Sequence, residues 1–184
     1  MTQKIYEKMH SIRTLTVIFF MSLSLITFSS GDLIDDICRK SSDFKVCTDS
    51  LRTDPKSSSA DEKGLVRILL QQCLAKATSI YNEIVFLLKE TKEPVLKQCL
   101  EVCKDNYDGA KDDVAATIKS FDANDFTEAI SHASAVESGP IDCEESFTEP
   151  PVRKSPTKQK SNDLINFVGL TAGLIDCISK SCLS

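Results

Sequence analysis

Residues 65–121 read LVRILLQQCLAKATSIYNEIVFLLKETKEPVLKQCLEVCKDNYDGAKDDVAATIKSF. Apolar side chains recur through this stretch every three or four positions: Leu65, Leu69, Cys73, Ala77, Ile80, Ile84 and Leu87/Leu88, then Leu96, Leu100, Cys103, Tyr107, Ala110, Val114, Thr117/Ile118 and Phe121. That is the period of an α-helix with one apolar face, and a strand, whose period is two, cannot produce it. Pro94 divides the pattern, because it lacks an N–H and suits a first helical turn rather than an interior. Two long one-faced helices joined by a short turn must bury their stripes against neighbours at shallow angles, as in a bundle. Gly109 is the weak point of the second helix.

Downstream, Asp122 and Asn124 are cap candidates for a third helix carrying Phe126, Ala129, Ile130, Ala133 and Val136, with a bend expected near Gly139-Pro140 before Cys143 and Phe147. Residues 148–160 (TEPPVRKSPTKQK) are rich in proline and lysine and read as a long exposed connection. Ser161, Asn162 or Asp163 then caps a fourth helix with Leu164, Ile165, Val168, Thr171/Ala172, Ile175 and Ile178 inward. Upstream, residues 32–51 form one or two short helical pieces holding Cys38 and Cys47, followed by a loop at 53–59. The expected fold is all-α: an up-down-up-down four-helix bundle preceded by a short N-terminal helical hairpin.

The amino terminus adds a compartment. Lys4, Lys8 and Arg13 precede the uncharged run LTVIFFMSLSLITF at residues 15–28, and the small residues Ser29, Ser30 and Gly31 follow. This is the layout of a cleaved signal peptide over residues 1–31, too short in its apolar run for a spanning helix. The expected mature domain is residues 32–184, secreted by default and with no membrane association after cleavage. Eight cysteines without a C-x-x-C or C-x-C spacing agree with an oxidising compartment. The net charge is −5 for 22 Lys plus Arg against 27 Asp plus Glu. An acidic surface of this kind disfavours nucleic acid, whose binding requires counterion release by cations.

Helical rise limits which cysteines can meet. The nine-residue step from Cys38 to Cys47 suits a staple across a helical hairpin, worth about 2.5 kcal/mol in the chain-entropy account. In the bundle, both Cys99 and Cys103 lie near the level of Cys143, so the partner of Cys143 stays open. Cys73 and Cys99 lie at different levels and cannot bridge; Cys73, Cys177 and Cys182 have no evident mate. Catalytic machinery is not expected. His132 is the only histidine beyond the leader and has no companion at metal-ligand spacing, so neither a zinc site nor a triad has its parts. Asp105, Asp108, Asp112 and Asp113 flank an apolar stripe and read as a solvated face. Arg153, Lys154, Lys158 and Lys160 read as a soluble linker. No metal or other cofactor is expected, and the chain is expected to be a monomer.

Leu33-Ile34 leading to Cys38, then Ser41, Phe44, Cys47 and Leu51, resembles the amino-terminal signature of the plant invertase and pectin methylesterase inhibitors. Cys103 followed by Tyr107 and Ala110, and Cys143 followed by Glu144-Glu145 and Phe147, resemble that family's third and fourth cysteine motifs. The run from Ser50-Leu51 through Asp54-Pro55-Lys56-Ser57 to Ala60-Asp61 and Gly64-Leu65 is similar to the pollen-allergen-like branch of invertase inhibitors. The resemblance implies disulfides Cys38–Cys47 and Cys103–Cys143, and it leaves Cys73, Cys99, Cys177 and Cys182 outside the pattern. It implies a non-catalytic, secreted inhibitor that docks on an acid invertase, a beta-fructofuranosidase, or alternatively on pectin methylesterase, in the cell wall or apoplast or in the vacuole. Invertase-inhibiting members carry a Pro-Lys-Phe triplet ahead of the third bundle helix, directed at an acidic substrate pocket. Asn124, Asp125 and Phe126 correspond to it here, which makes them the expected target-binding residues. Asp125 reverses the charge of that lysine. Eight-cysteine lipid-transfer proteins share the helices and the cysteine number, but they use an adjacent Cys-Cys pair and a C-x-C that this sequence lacks.

Overall fold

The computed structural model describes residues 29–182; the expected leader falls outside them up to residue 28. The described elements are helices: α1 (Ser29–Cys38), α2 (Phe44–Arg52), a 3-10 turn (Pro55–Ser59), α3 (Glu62–Glu90), α4 (Pro94–Asp122), α5 (Phe126–Ser146) and α6 (Lys158–Ser179). Three of the four long helices start at acidic caps, while α6 starts after Thr157 with no side-chain cap bond. Asp61 accepts from the Gly64 N–H, Glu93 from those of Val95 and Leu96, and Asp125 from that of Glu128. Each carboxylate satisfies an orphan amide and lies at the positive end of a helix. The cap of α5 is therefore Asp125, and neither Asp122, which ends α4, nor Asn124 serves.

Helix α4 packs on both α3 and α5, and α6 on both α5 and α3. This closed ring of neighbours is the up-down-up-down bundle that the stripes require. Leu65, Leu69, Ile84, Leu100, Tyr107, Phe121, Leu164, Leu170, Leu174 and Ile175 are fully buried at its centre. Each such aliphatic side chain stabilises the fold by about 2 kcal/mol through burial. The hairpin α1–α2 is closed by the Cys38–Cys47 disulfide and by Arg52 on Asp35 at 2.7 Å. It rests on α3, where Gln72 donates to the Ser50 carbonyl at 3.0 Å.

Helix α5 runs through Gly139-Pro140 to Ser146. Both residues are buried, and a Cβ on Gly139 would lie 2.7 Å from the Asn106 carbonyl oxygen of α4. Glycine here lets two backbones approach, and one turn further on the Cα atoms of the bonded Cys103 and Cys143 are 4.4 Å apart. Cys99 is not bonded to Cys143; its thiol donates to the Ser146 carbonyl at 3.2 Å.

The connection into α6 is shorter than expected, since α6 begins at Lys158 rather than after Ser161–Asp163. It is also held. The Arg153 amide donates to the Phe147 carbonyl at 3.0 Å, and its guanidinium grips both carboxylate oxygens of Glu93 at 3.2 Å. At its other end α6 closes on Ser181 (φ 53°), with the Cys182 amide on the Cys177 carbonyl at 3.1 Å. A disulfide joins Cys177 to Cys182, so two cysteines without an evident mate in the sequence are partners across one helix terminus. Cys73 is a buried thiol beside Thr171 Oγ1 at 3.7 Å, and burial pushes it up to about 12.

Candidate docking surface at the α4–α5 turn

The turn between α4 and α5 is built with almost no free backbone. The Asp125 amide donates to the Ser120 carbonyl at 2.9 Å and the Asn124 amide to that of Phe121 at 3.0 Å. These are the two bonds of a Schellman motif, and they place Asn124 in the left-handed region, φ 62°. Asparagine tolerates that conformation better than most residues. The next residue begins α5, with the Asp125 carboxylate accepting from the Glu128 amide at 3.1 Å. Asn124 and Asp125 are exposed at the end of the bundle. Phe126 is half-buried, its ring edge-on to Phe121 with centroids 5.7 Å apart. The Phe126 ring thus anchors the turn to the core while the two polar residues face outward.

Helix α3 sends two cations across to this turn. Arg67 holds the Asp122 carboxylate with three contacts of 2.8, 3.1 and 3.0 Å. Lys63 donates to Asn124 Oδ1 at 2.8 Å and to the Asp122 carbonyl at 3.4 Å, and lies 5.4 Å from the Phe121 ring centroid. Beside Lys63 opens a cavity of about 520 Å³, lined with Leu33, Asp61, Glu62, Ile178, Ser181 and Cys182. Sequence reasoning missed Lys63. Its signal was a cation in a first helical turn, where the helix dipole disfavours one.

Of the four clustered carboxylates of α4, Asp105, Asp108 and Asp113 are partnered and Asp112 is an exposed surface group. Asp108 pairs with Lys111 at 2.8 Å and is held below the usual carboxylate range by that hydrogen bond. Asp105 meets Lys104 at 3.1 Å, and Asp113 faces His132 at 3.7 Å, with Glu128 on the other ring nitrogen at 3.3 Å. No three His, Cys, Asp or Glu side chains among the described residues are arranged to hold a metal ion.

At the opposite end a polar network lies under the surface. Tyr107 Oη donates to Ser161 Oγ at 2.8 Å, and Ser161 and Thr157 donate to Glu144 Oε1 at 2.6 and 3.0 Å. Tyr107, Thr157 and Ser161 are fully buried or nearly so. Burial pushes the Tyr107 phenol up to about 12, and the neighbouring Glu144 charge adds to that rise. These residues join α4, α5 and α6 beside the Cys103–Cys143 bond, so Tyr107 and Glu144 have structural work to do next to their cysteines.

No helix among the described residues is long and apolar enough to cross a membrane. The family model described as "Plant invertase/pectin methylesterase inhibitor" matches residues 32–172. The "Cell wall / vacuolar inhibitor of fructosidase 2" of Arabidopsis thaliana is 29% identical over 172 residues, covering 86% of this chain and 96% of the relative. The "Pectinesterase inhibitor" of Actinidia deliciosa is 32% identical over 136 residues, 74% of this chain and 72% of its own. Among solved structures, a mutant form of a pectin methylesterase inhibitor from Arabidopsis superposes with a TM-score of 0.64 at 19% identity, over 76% of this chain and 93% of its own, which is a likeness of fold.

Proposed function

We propose that this chain, which belongs to the plant invertase/pectin methylesterase inhibitor family, blocks an acid invertase by seating the α4–α5 turn over the enzyme's substrate pocket. The observation that carries the reading is the turn itself. Asn124 and Asp125 are exposed at the tip of a rigid bundle, fixed by a Schellman motif, a helix cap and the Phe126–Phe121 contact. A preformed tip loses little conformational freedom on docking, which favours tight association. The fructosidase inhibitor that matches 86% of the chain supports this target. The second reading, inhibition of pectin methylesterase, is favoured by the 32% identical pectinesterase inhibitor. A leader removed near Gly31, a secreted monomer and a cell-wall or vacuolar site complete the proposal.

Inhibition constants of the mature protein for one acid invertase and one pectin methylesterase near pH 5 test it. Asp125→Asn keeps a good cap and removes a negative charge, so it should tighten invertase binding by about 1 kcal/mol, and Asp125→Lys by about 1 to 3 kcal/mol if the site is desolvated. Phe126→Ala should weaken it, with helical circular dichroism as the folding control. Invertase inhibition indifferent to all three substitutions would sink the turn mechanism. Inhibition confined to pectin methylesterase would replace the target.

A further inference from the structure

We infer that Lys63 is the cation with which this surface meets the acidic groups of its target, a specificity-determining residue supplied by α3 rather than by the turn; the inference rests on the reading above. Lys63 is the second residue of α3, at the positive end of the helix dipole, a position that disfavours an ammonium. It is nevertheless held there by neutral groups: Asn124 Oδ1 at 2.8 Å, the Asp122 carbonyl at 3.4 Å and the face of Phe121 at 5.4 Å. The nearest acid of the turn, Asp122, is occupied by Arg67 through three contacts. No described carboxylate lies within ion-pair distance of Lys63. Its contacts orient the charge without neutralising it.

The ammonium sits between the exposed turn and the cavity lined with Leu33, Ile178 and Cys182. Arg67 is paired with Asp122, Lys180 is paired with Asp176, and Lys119 lies on the last turn of α4; the remaining charges facing this region are acidic. Asp61 and Glu62 line the cavity, and Asp125 caps α5. Without Lys63 the cavity beside the turn would present only the acids Asp61 and Glu62 to a glycoside hydrolase, whose reacting centre is flanked by two carboxyl groups. Like charges brought together at an interface oppose docking, and one fixed cation offsets that while steering the encounter. The partner that fits is a sugar pocket lined by carboxylates, approached by the turn with Lys63 at its side.

The test compares Lys63→Gln, Lys63→Arg and Lys63→Glu in the mature protein, reading inhibition constants and association rates for an acid invertase from low to high salt. Glutamine keeps an N–H donor for Asn124 and removes the charge. It should weaken inhibition by about 10- to 100-fold and flatten the salt dependence of association, whereas arginine should stay within about threefold of wild type. Glutamate should abolish inhibition. The melting temperature of Lys63→Gln should equal or exceed that of wild type, because a cation leaves the helix start. Wild-type inhibition with an unchanged constant and salt slope in Lys63→Gln overturns the inference and leaves the target reading standing. Failure of the wild-type protein to inhibit the invertase overturns both.

Discussion

Removal of one hydroxyl, Ser161→Ala, should unfold the protein far more readily than its size suggests. Ser161 Oγ accepts from Tyr107 Oη at 2.8 Å and donates to Glu144 Oε1 at 2.6 Å. Alanine would leave the phenol, which has no exposure to water, without a partner, and would leave that carboxylate oxygen only Thr157 at 3.0 Å. The other oxygen, Oε2, is buried with no partner among the described residues. An orphaned buried donor and a lost bond to a charged acceptor together cost about 3 kcal/mol. For a domain of this size that lowers the melting temperature by roughly 6 to 12 °C. Tyr107→Phe removes the donor but leaves Ser161 on Glu144, so it should cost only about 1 kcal/mol. The double variant should be no less stable than Ser161→Ala alone, since the orphaned phenol hydroxyl is gone. Denaturant unfolding of the four proteins, with disulfides intact, measures the cycle. Equal costs for the two single variants, or strictly additive costs in the double, would refute the reasoning.

Gly109 is exposed in mid-α4, and a methyl group placed there would meet nothing within 4 Å, whereas Gly139 faces the α4 backbone at 2.7 Å; Gly109→Ala should therefore stabilise by about 1 kcal/mol and Gly139→Ala should destabilise by about 1 to 3 kcal/mol. Urea midpoints check both signs. The Arg153 hydrogen bonds, and then the Leu96 amide, hold Glu93 below the ordinary carboxylate range, so its stabilising contribution is present above about pH 4.3 and is lost as pH falls through the depressed value. Hydrogen exchange in residues 148–157 should stay protected at pH 5 and lose protection in stronger acid, and Glu93→Gln should already lack that protection at pH 5. Cys73 and Cys99 are buried thiols, so an aromatic disulfide reagent should find no thiol in the native protein and two in denaturant; four would break the Cys177–Cys182 assignment.

The bundle was legible because each long helix repeats its apolar stripe and three of the four begin at an acidic cap, one of them followed by Pro94. What the sequence hid is tertiary. Asp122, Asn124 and Asp125 are all plausible caps by type, and the difference lies in Arg67, which claims Asp122 from another helix. Ser161 resembles a cap but is buried, because Glu144 and Tyr107 draw its hydroxyl inward. Gly139-Pro140 suggests a bend by local rules, yet the glycine serves the neighbouring backbone. Helix levels left Cys99 and Cys103 as rivals for Cys143, and only the family likeness chose between them. The partners of Lys63 were hidden for the same reason as that of Arg67: these contacts span about sixty residues of sequence.

The Cys103–Cys143 bond ties together the two helices whose far ends meet at Asn124, roughly 28 Å away along α4. The turn at that end is thus the bight of a covalent loop. Should a protease sever a peptide bond there, neither half could diffuse away. Both helices would remain packed on α3 and α6, and the new ends would stay within reach of each other. A cut at this exposed turn would leave one molecule rather than two, with the same end of the bundle intact.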